Sequence, residues 1–285
     1  MDGPQIIART LSQMGNVTDR RGNQWQYFSR SDHHSKTACW AFLFDLLEHC
    51  RLLSEHAAQG LIGFGINHQM RDFKLNNKKD LDLVVCRPRH GADPRAKNRT
   101  FAMLADEYNI SLTVQQRQRL SNLPSLAQVP VGNVLIALEA KAAMTSHVKA
   151  CPRLFDELNS SHQIVHGDSG SAIAAGLTLV NLAEEFVSPD SNKIDLSKHA
   201  AKVSIHKQPA DAIRIIQTIR DLPRRSSTAE VGFDGIAVLV LDFRNDGGPV
   251  KFVDGYPSPA PDSILNYDSL VGRVCHLYQS RFPQI

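Results

Sequence analysis

Apolar positions along the chain follow two rhythms. In "SDHHSKTACWAFLFDLLEHCRLLSEH", from Ser31, the residues Trp40, Leu43, Phe44 and Leu47 recur at helical spacing. This predicts a helix with Ser31 or Asp32 as its N-cap. Elsewhere short apolar or alternating runs, bounded by turn residues and prolines, read as strands. They are "GLIGFGI" (60–66), Asp80 to Cys86 in "KKDLDLVVCRP", "VLIALEAK" (134–141), "AAGLTLVNLA" (174–183) and "GIAVLVLDF" (235–243). Helical patterns fill "AMTSHVKACPRLFDELNSSH", "PADAIRIIQTIRDL" (209–222) and "DSILNYDSLVGRVCHLYQSRF" (262–282). Pro152 is expected to kink the first of these or to sit in an early turn, and Pro209 to occupy the first turn of the second.

The order α-β-β-β-α-β-α-β-α predicts an α/β fold, one domain over residues 31–285, with a mixed central sheet flanked by helices. Residues 1–30 are polar and poorly periodic and read as an N-terminal arm. Residues 89–130 form a polar excursion with two helical patches, "RTFAMLADEY" and "TVQQRQRLSNL".

Composition changes this picture little. The 285 residues are 42% hydrophobic and 21% charged, ordinary for a globular protein, and a net charge of +3 is compatible with a nucleic-acid partner without demanding one. Five scattered cysteines with no CxxC pair point to reduced thiols rather than a disulfide framework or a zinc knuckle. With no secretory pattern in "MDGPQIIARTLSQ" and no apolar run long enough to span a bilayer, a cytoplasmic protein without membrane contact is expected.

The chemistry concentrates at two strands. Residues two apart on a strand share a face, so Leu135, Ala137, Glu139 and Lys141 are expected on one side, with Val134, Ile136, Leu138 and Ala140 on the other. Likewise Asp80 and Asp82 are expected opposite Leu81, Leu83 and Val85. A carboxylate buried among such neighbours costs on the order of several kcal/mol unless a partner or metal compensates. If the strands are neighbours, Asp82 and Glu139 converge with Lys141 beside them. Two carboxylates plus the Ala140 backbone carbonyl make a hard oxygen site suited to Mg2+, with Mn2+ as a substitute. Lys141 would orient a metal-held water and help lower its pKa, a constellation suited to phosphodiester hydrolysis. By spacing alone, an ordinary salt bridge between Lys141 and either acid accounts for the same residues.

The pair "DLDLVV" and "ALEAK", followed by a helix, resembles the PD-(D/E)XK nuclease superfamily over about residues 35–185. The resemblance implies a restriction-endonuclease-like core with C-terminal additions. It assigns metal ligation to Asp82 and Glu139 and assistance of the water to Lys141. The 89–130 segment would then be a helical insertion. Many members carry a glutamate early in the first helix; here the segment reads "HHSKTACW", leaving His34 or the more distant Glu48 as substitutes. The implied activity is a Mg2+-dependent endonuclease of restriction or anti-phage type, acting on DNA in preference to RNA and compatible with a homodimer. The alternative is a non-catalytic nucleic-acid-binding or scaffold module on the same fold.

Other features weigh less. "GDSG" (167–170) resembles the surroundings of a trypsin-like serine, but Ser171 stands where a glycine is needed and no partner histidine segment exists, so Ser169 reads as a turn residue. His33, His34, His147, His162 and His166 match no compact zinc spacing. His147, Lys149 and Arg153 follow the third strand on one helix and could approach a phosphate or form a solvated face. Basic residues gather at Lys74, Lys78, Lys79, Arg87, Arg89, Arg95, Lys97 and Arg99, and again at Arg220, Arg224 and Arg225. Beside the acids they would offset repulsion of a phosphate backbone and make binding salt-sensitive; scattered solubilising charge is the other reading. Nothing encodes base readout.

Overall fold

The computed structural model describes residues 1–73, 76–92 and 99–285. Lys74, Arg95 and Lys97 of the expected basic cluster lie outside the described residues. The chain opens with α1 (Gly3–Leu11), the short pair β1 (Val17–Thr18) and β2 (Gln24–Trp25), then α2 (His33–His49) and α3 (Arg51–Gln59). Next come β3 (Gly63–Asp72), β4 (Asn77–Pro88), α4 (Phe101–Glu107), α5 (Val114–Asn122), β5 (Val131–Ala143) and α6 (His147–Asp168). The remainder is β6 (Ile173–Asn181), the pair β7 (Glu185–Phe186) and β8 (Ser204–Ile205), α7 (Ala210–Arg220), β9 (Gly235–Asp242), β10 (Lys251–Val253) and α8 (Tyr267–Arg281).

Six strands form the central sheet in the order β10-β9-β6-β5-β4-β3. β3, β4 and β5 are an antiparallel meander, while β5, β6 and β9 run parallel. Parallel neighbours need long crossovers, and α6 and α7 lie in them. The nine-element order read from the periodicity corresponds to α2-β3-β4-β5-α6-β6-α7-β9-α8. All nine residues of β6 are buried, Thr178 and Asn181 among them, as expected of a mostly apolar parallel strand covered on both faces. One apolar layer packs under α1, α2 and α8, and a second under α6 and α7. No helix among the described residues is long and apolar enough to cross a membrane.

Three expectations need correction. Residues 3–11 are not a loose arm: α1 inserts Ile6, Ile7 and Leu11, all fully buried, into the core beside α2. The expected long first helix breaks at Cys50 and resumes as α3, which stops at Gly60 in the left-handed region (φ 72°). Pro152 is not among them: it sits in an early turn of α6, the second, as expected, and the helix runs on to Asp168.

The third correction bears on the site. Ile66, Leu83 and Val85 pack into the layer under α2, whereas Met70 and Leu81 pack under α6. Residues of like parity on one strand thus face opposite sides, so strict alternation is broken between them. The break lies at Asn67, held at φ 49°, and at Asp82, both skipped by a register that pairs Ile66 with Leu83 and His68 with Leu81. Asparagine tolerates this left-handed conformation better than most residues. In β5 the pairing shifts between Val85 and Cys86, and Leu135 joins the α2 side while Val134 joins the α6 side, the reverse of the expected faces. An extra residue at a bulge has this effect.

Candidate functional site

β4 and β5 pair as far as Leu83 and Leu138 and then part. Beyond that point β4 stays with β3 and β5 stays with β6. Asp82 stands in the fork. Its Oδ2 accepts the Ala140 N–H at 2.8 Å, replacing the main-chain acceptor that a continuing ladder would supply. Because the N–H and C=O of one strand residue point the same way, the Ala140 carbonyl is also directed towards β4.

Glu139 and Lys141 lie on the α6 side with Ala137 and Ala143. Glu139 is 2% exposed. Its Oε1 meets Lys141 Nζ at 2.6 Å and Lys79 Nζ at 3.3 Å. Lys79 also donates to the Glu157 carbonyl and to Ser160 Oγ (3.3 Å), and Lys141 lies 3.7 Å from Glu157 Oε2. The other Glu139 oxygen, Oε2, is buried without a hydrogen-bond partner. An unsatisfied buried charged oxygen is costly and calls for an explanation.

The charges act on one another. Burial pushes the Asp82 carboxyl up to about 6, and the neighbouring Glu139 charge adds to it. Burial alone would lower the Lys141 ammonium, but the combined pull of Glu139, Asp82 and Glu157 outweighs it and the pKa rises. Lys79 is lowered by burial, against the pull of Glu139. A second carboxylate raising the first, with one oxygen left over, is a donor set that fits a hard divalent cation: Asp82, Glu139 Oε2 and the Ala140 carbonyl would hold it.

A pH effect on stability follows, in metal-free solution. Below pH 3.8, Asp82 is protonated in both states. Between 3.8 and about 6 the unfolded chain has released this proton while the folded protein keeps it. The Asp82 contribution to stability therefore falls as pH rises through that window, by roughly 2–3 kcal/mol, and is flat above it. Asp82→Asn, whose amide oxygen still accepts the Ala140 N–H, is expected to remove this loss. Urea unfolding of both proteins across the window checks it; parallel pH profiles would contradict it.

The remaining expected site residues divide. Lys79 does not face solvent to meet phosphate; it is drawn into the carboxylate cluster. Lys78 stays exposed, as do Lys149 and Arg153. His147 is buried: its Nε2 donates to the Asn181 carbonyl at 2.9 Å, and its ring packs edge-on against His206. Burial, then the His206 charge, lowers it to about 4, so it is a neutral structural histidine and does not approach phosphate. Arg225 is likewise no surface cation, being buried in an ion pair with Asp234. Arg99 is paired with Glu107. Ser169 is half-buried, with Ser171 Oγ at 3.5 Å as its hydroxyl neighbour, consistent with a turn residue.

Of the two substitutes on α2, His34 lies towards the cluster. It is half-buried, its Nδ1 is buried without a partner, and desolvation followed by the Lys141 charge lowers it to about 4. Glu48 is fourteen residues further along, about 21 Å down the helix axis, where it bridges Arg119 at 3.2 Å. There Asp45, Glu48 and His49 gather, but Asp45 already accepts the backbone N–H groups of Asp2 and Gly3. Glu157 and Ser160, which complete the cluster, have no sequence signal; only the docking of α6 brings them over β5. Comparison with protein-family models, with curated proteins and with solved structures finds no match.

Proposed function

We propose that the protein is a divalent-metal-dependent nuclease with a restriction-endonuclease-like core, hydrolysing phosphodiester bonds, with DNA favoured over RNA. The observation that carries this reading is the buried Glu139 Oε2, left without a partner beside a second carboxylate at a strand fork. A divalent ion there would supply Lewis acidity and charge neutralisation. Asp82, Glu139 and the Ala140 carbonyl would hold it. Lys141, anchored by Glu139, would present a proton donor and positive charge to the attacked phosphate, and Lys79 would fix the Glu139 rotamer. A restriction or anti-phage role, a homodimer that cuts both strands, and a cytoplasmic location belong to the same proposal.

One observation favours a second reading, a non-catalytic module. Two lysines already share Glu139 Oε1, so the cluster could be a structural ion network. Incubating plasmid, single-stranded DNA and RNA with the purified protein, with and without Mg2+ or Mn2+, separates the two. The nuclease reading expects metal-dependent cutting that Lys141→Met lowers by roughly 100-fold or more, the range of lost general acid–base groups. Full cutting by Lys141→Met removes the role given to this residue.

A further inference from the structure

Beyond Lys141 the chain leads directly into a cavity of about 240 Å³ between the end of β5, the start of α6 and two loops. We propose that this cavity, lined by Tyr27, Ser29, Ser146, Lys149, Arg153 and Asp190, is a phosphate subsite that seats the nucleic-acid backbone beside the carboxylate cluster. The inference rests on the nuclease reading for the identity of the strand, and on the cavity itself for its chemistry.

Four features carry it. First, Lys149 has no ion pair among the described residues, and Arg153 has only Glu157, at 3.9 Å. The two cations are one helical turn apart and share a face. Second, Ser146, in the left-handed region (φ 53°), makes no side-chain cap to α6. The Lys149 N–H already bonds the Ser146 carbonyl at 2.9 Å, so it is the N–H groups of His147 and Val148 that are left to an anion from outside. Third, Tyr27 is 6% exposed, and its ring is fixed against His34 and Phe186. Its hydroxyl has no hydrogen-bond partner among the described residues. Burial raises this phenol to about 12, with Arg153 and Asp190 acting on it from the cavity, so it remains a donor. Fourth, the one acid of the lining is matched: Asp190 accepts the Ser29 hydroxyl at 2.7 Å and lies 3.6 Å from Arg30.

The balance is positive and donor-rich, as a phosphodiester oxygen requires. The volume lies below the about 300 Å³ at which small-molecule pockets begin, which suits a phosphate with its sugar and not a stacked base. Continuity with the cluster runs along the chain through Ala142 and across it through Arg153, Glu157 and Lys141.

Binding is read by fluorescence anisotropy of a labelled single-stranded oligonucleotide in EDTA, where metal-dependent cutting is blocked, across a salt series. The double variant Lys149→Gln/Arg153→Gln is expected to bind roughly 10-fold more weakly and to reduce the slope of log K against log salt by about 1 to 2. Both side chains are exposed, so the far-ultraviolet circular dichroism should be unchanged. Tyr27→Phe is expected to weaken binding about 3-fold with the slope kept, since only a neutral donor is lost. Inorganic phosphate should displace the oligonucleotide from the wild type and do so less effectively from the double variant. Unchanged affinity and slope in the double variant, or no binding by the wild type, overturn the subsite whatever the cleavage assay gives. A wild type that cuts nothing yet binds through Lys149 and Arg153 sinks the nuclease reading and leaves the subsite standing.

Discussion

Glu139→Gln is expected to abolish metal-dependent cleavage, with a loss on the order of 10³-fold or more, as for groups that act as a unit. The substitution preserves shape and removes one charge. One oxygen of the Glu139 carboxylate meets both lysines, and its second oxygen is the one left over. Without the charge, the donor set for a divalent ion keeps one carboxylate beside neutral oxygens, too little negative charge for tight binding. The two lysines also lose their counter-charge, and breaking a buried pair by removing one partner costs about 3–5 kcal/mol. The upper part of that range is not expected, because Lys79 and Lys141 are 15% and 24% exposed. A fall in thermal stability alone would therefore not separate the nuclease from the scaffold. Metal does: Mn2+ should raise the melting temperature of the wild type by mass action on the folded state and leave that of Glu139→Gln unmoved. If calorimetry finds the same Mg2+ or Mn2+ heat in both proteins, this site does not bind the metal.

The second large effect is on stability. Arg225→Ala should destabilise the protein by about 3–5 kcal/mol, because it leaves the Asp234 carboxylate buried without its bidentate partner. Both side chains are 0% exposed, with Arg225 Nε 2.9 Å from Oδ1 and Nη2 3.0 Å from Oδ2. The same guanidinium donates to the carbonyls of Gly170 and Ala172, and Asp234 also accepts the Ala174 N–H at 2.8 Å. These bonds tie the turn before β6 to the start of β9. Arg281 reaches the same carboxylate from α8, so some charge compensation survives. Arg225→Met, which keeps the apolar bulk, should recover part of the packing loss. Denaturant unfolding of both variants measures it; a loss below about 1 kcal/mol for Arg225→Ala would contradict the assignment.

Much of the architecture was legible because its strands carry their own pattern. The runs at 174–183 and 235–243 are apolar but for Thr178, Asn181 and Asp242 because β6 and β9 are covered on both faces. α1 was not legible: its core-facing residues Ile6, Ile7 and Leu11 are scattered in a polar stretch, and their meaning depends on a groove beside α2 that local sequence does not contain. At the site, Asp82, Glu139 and Lys141 stood out as charges embedded in apolar runs. Lys79 was misread as a surface cation because nothing in "NNKKD" distinguishes it from Lys78; the inversion at Asn67 and Asp82 decides which one turns inward. His147 and Arg225 were misread for the same reason, since a charged or titratable residue is assumed exposed until a buried partner is found.

By itself the sequence determined the succession of helices and strands, the mixed sheet that this order favours, and the acids and base concentrated on two neighbouring strands. Those follow from periodicity and from the cost of placing charge among apolar side chains, both of which are local. Only the tertiary structure decided that β4 and β5 fork at Leu83, that Asp82 turns sideways onto the Ala140 N–H, and that Lys79, Glu157 and Tyr27 join the surroundings. Those depend on a left-handed residue, a bulge and the docking of α6, whose effects are felt across the fold and leave no periodic trace along the chain.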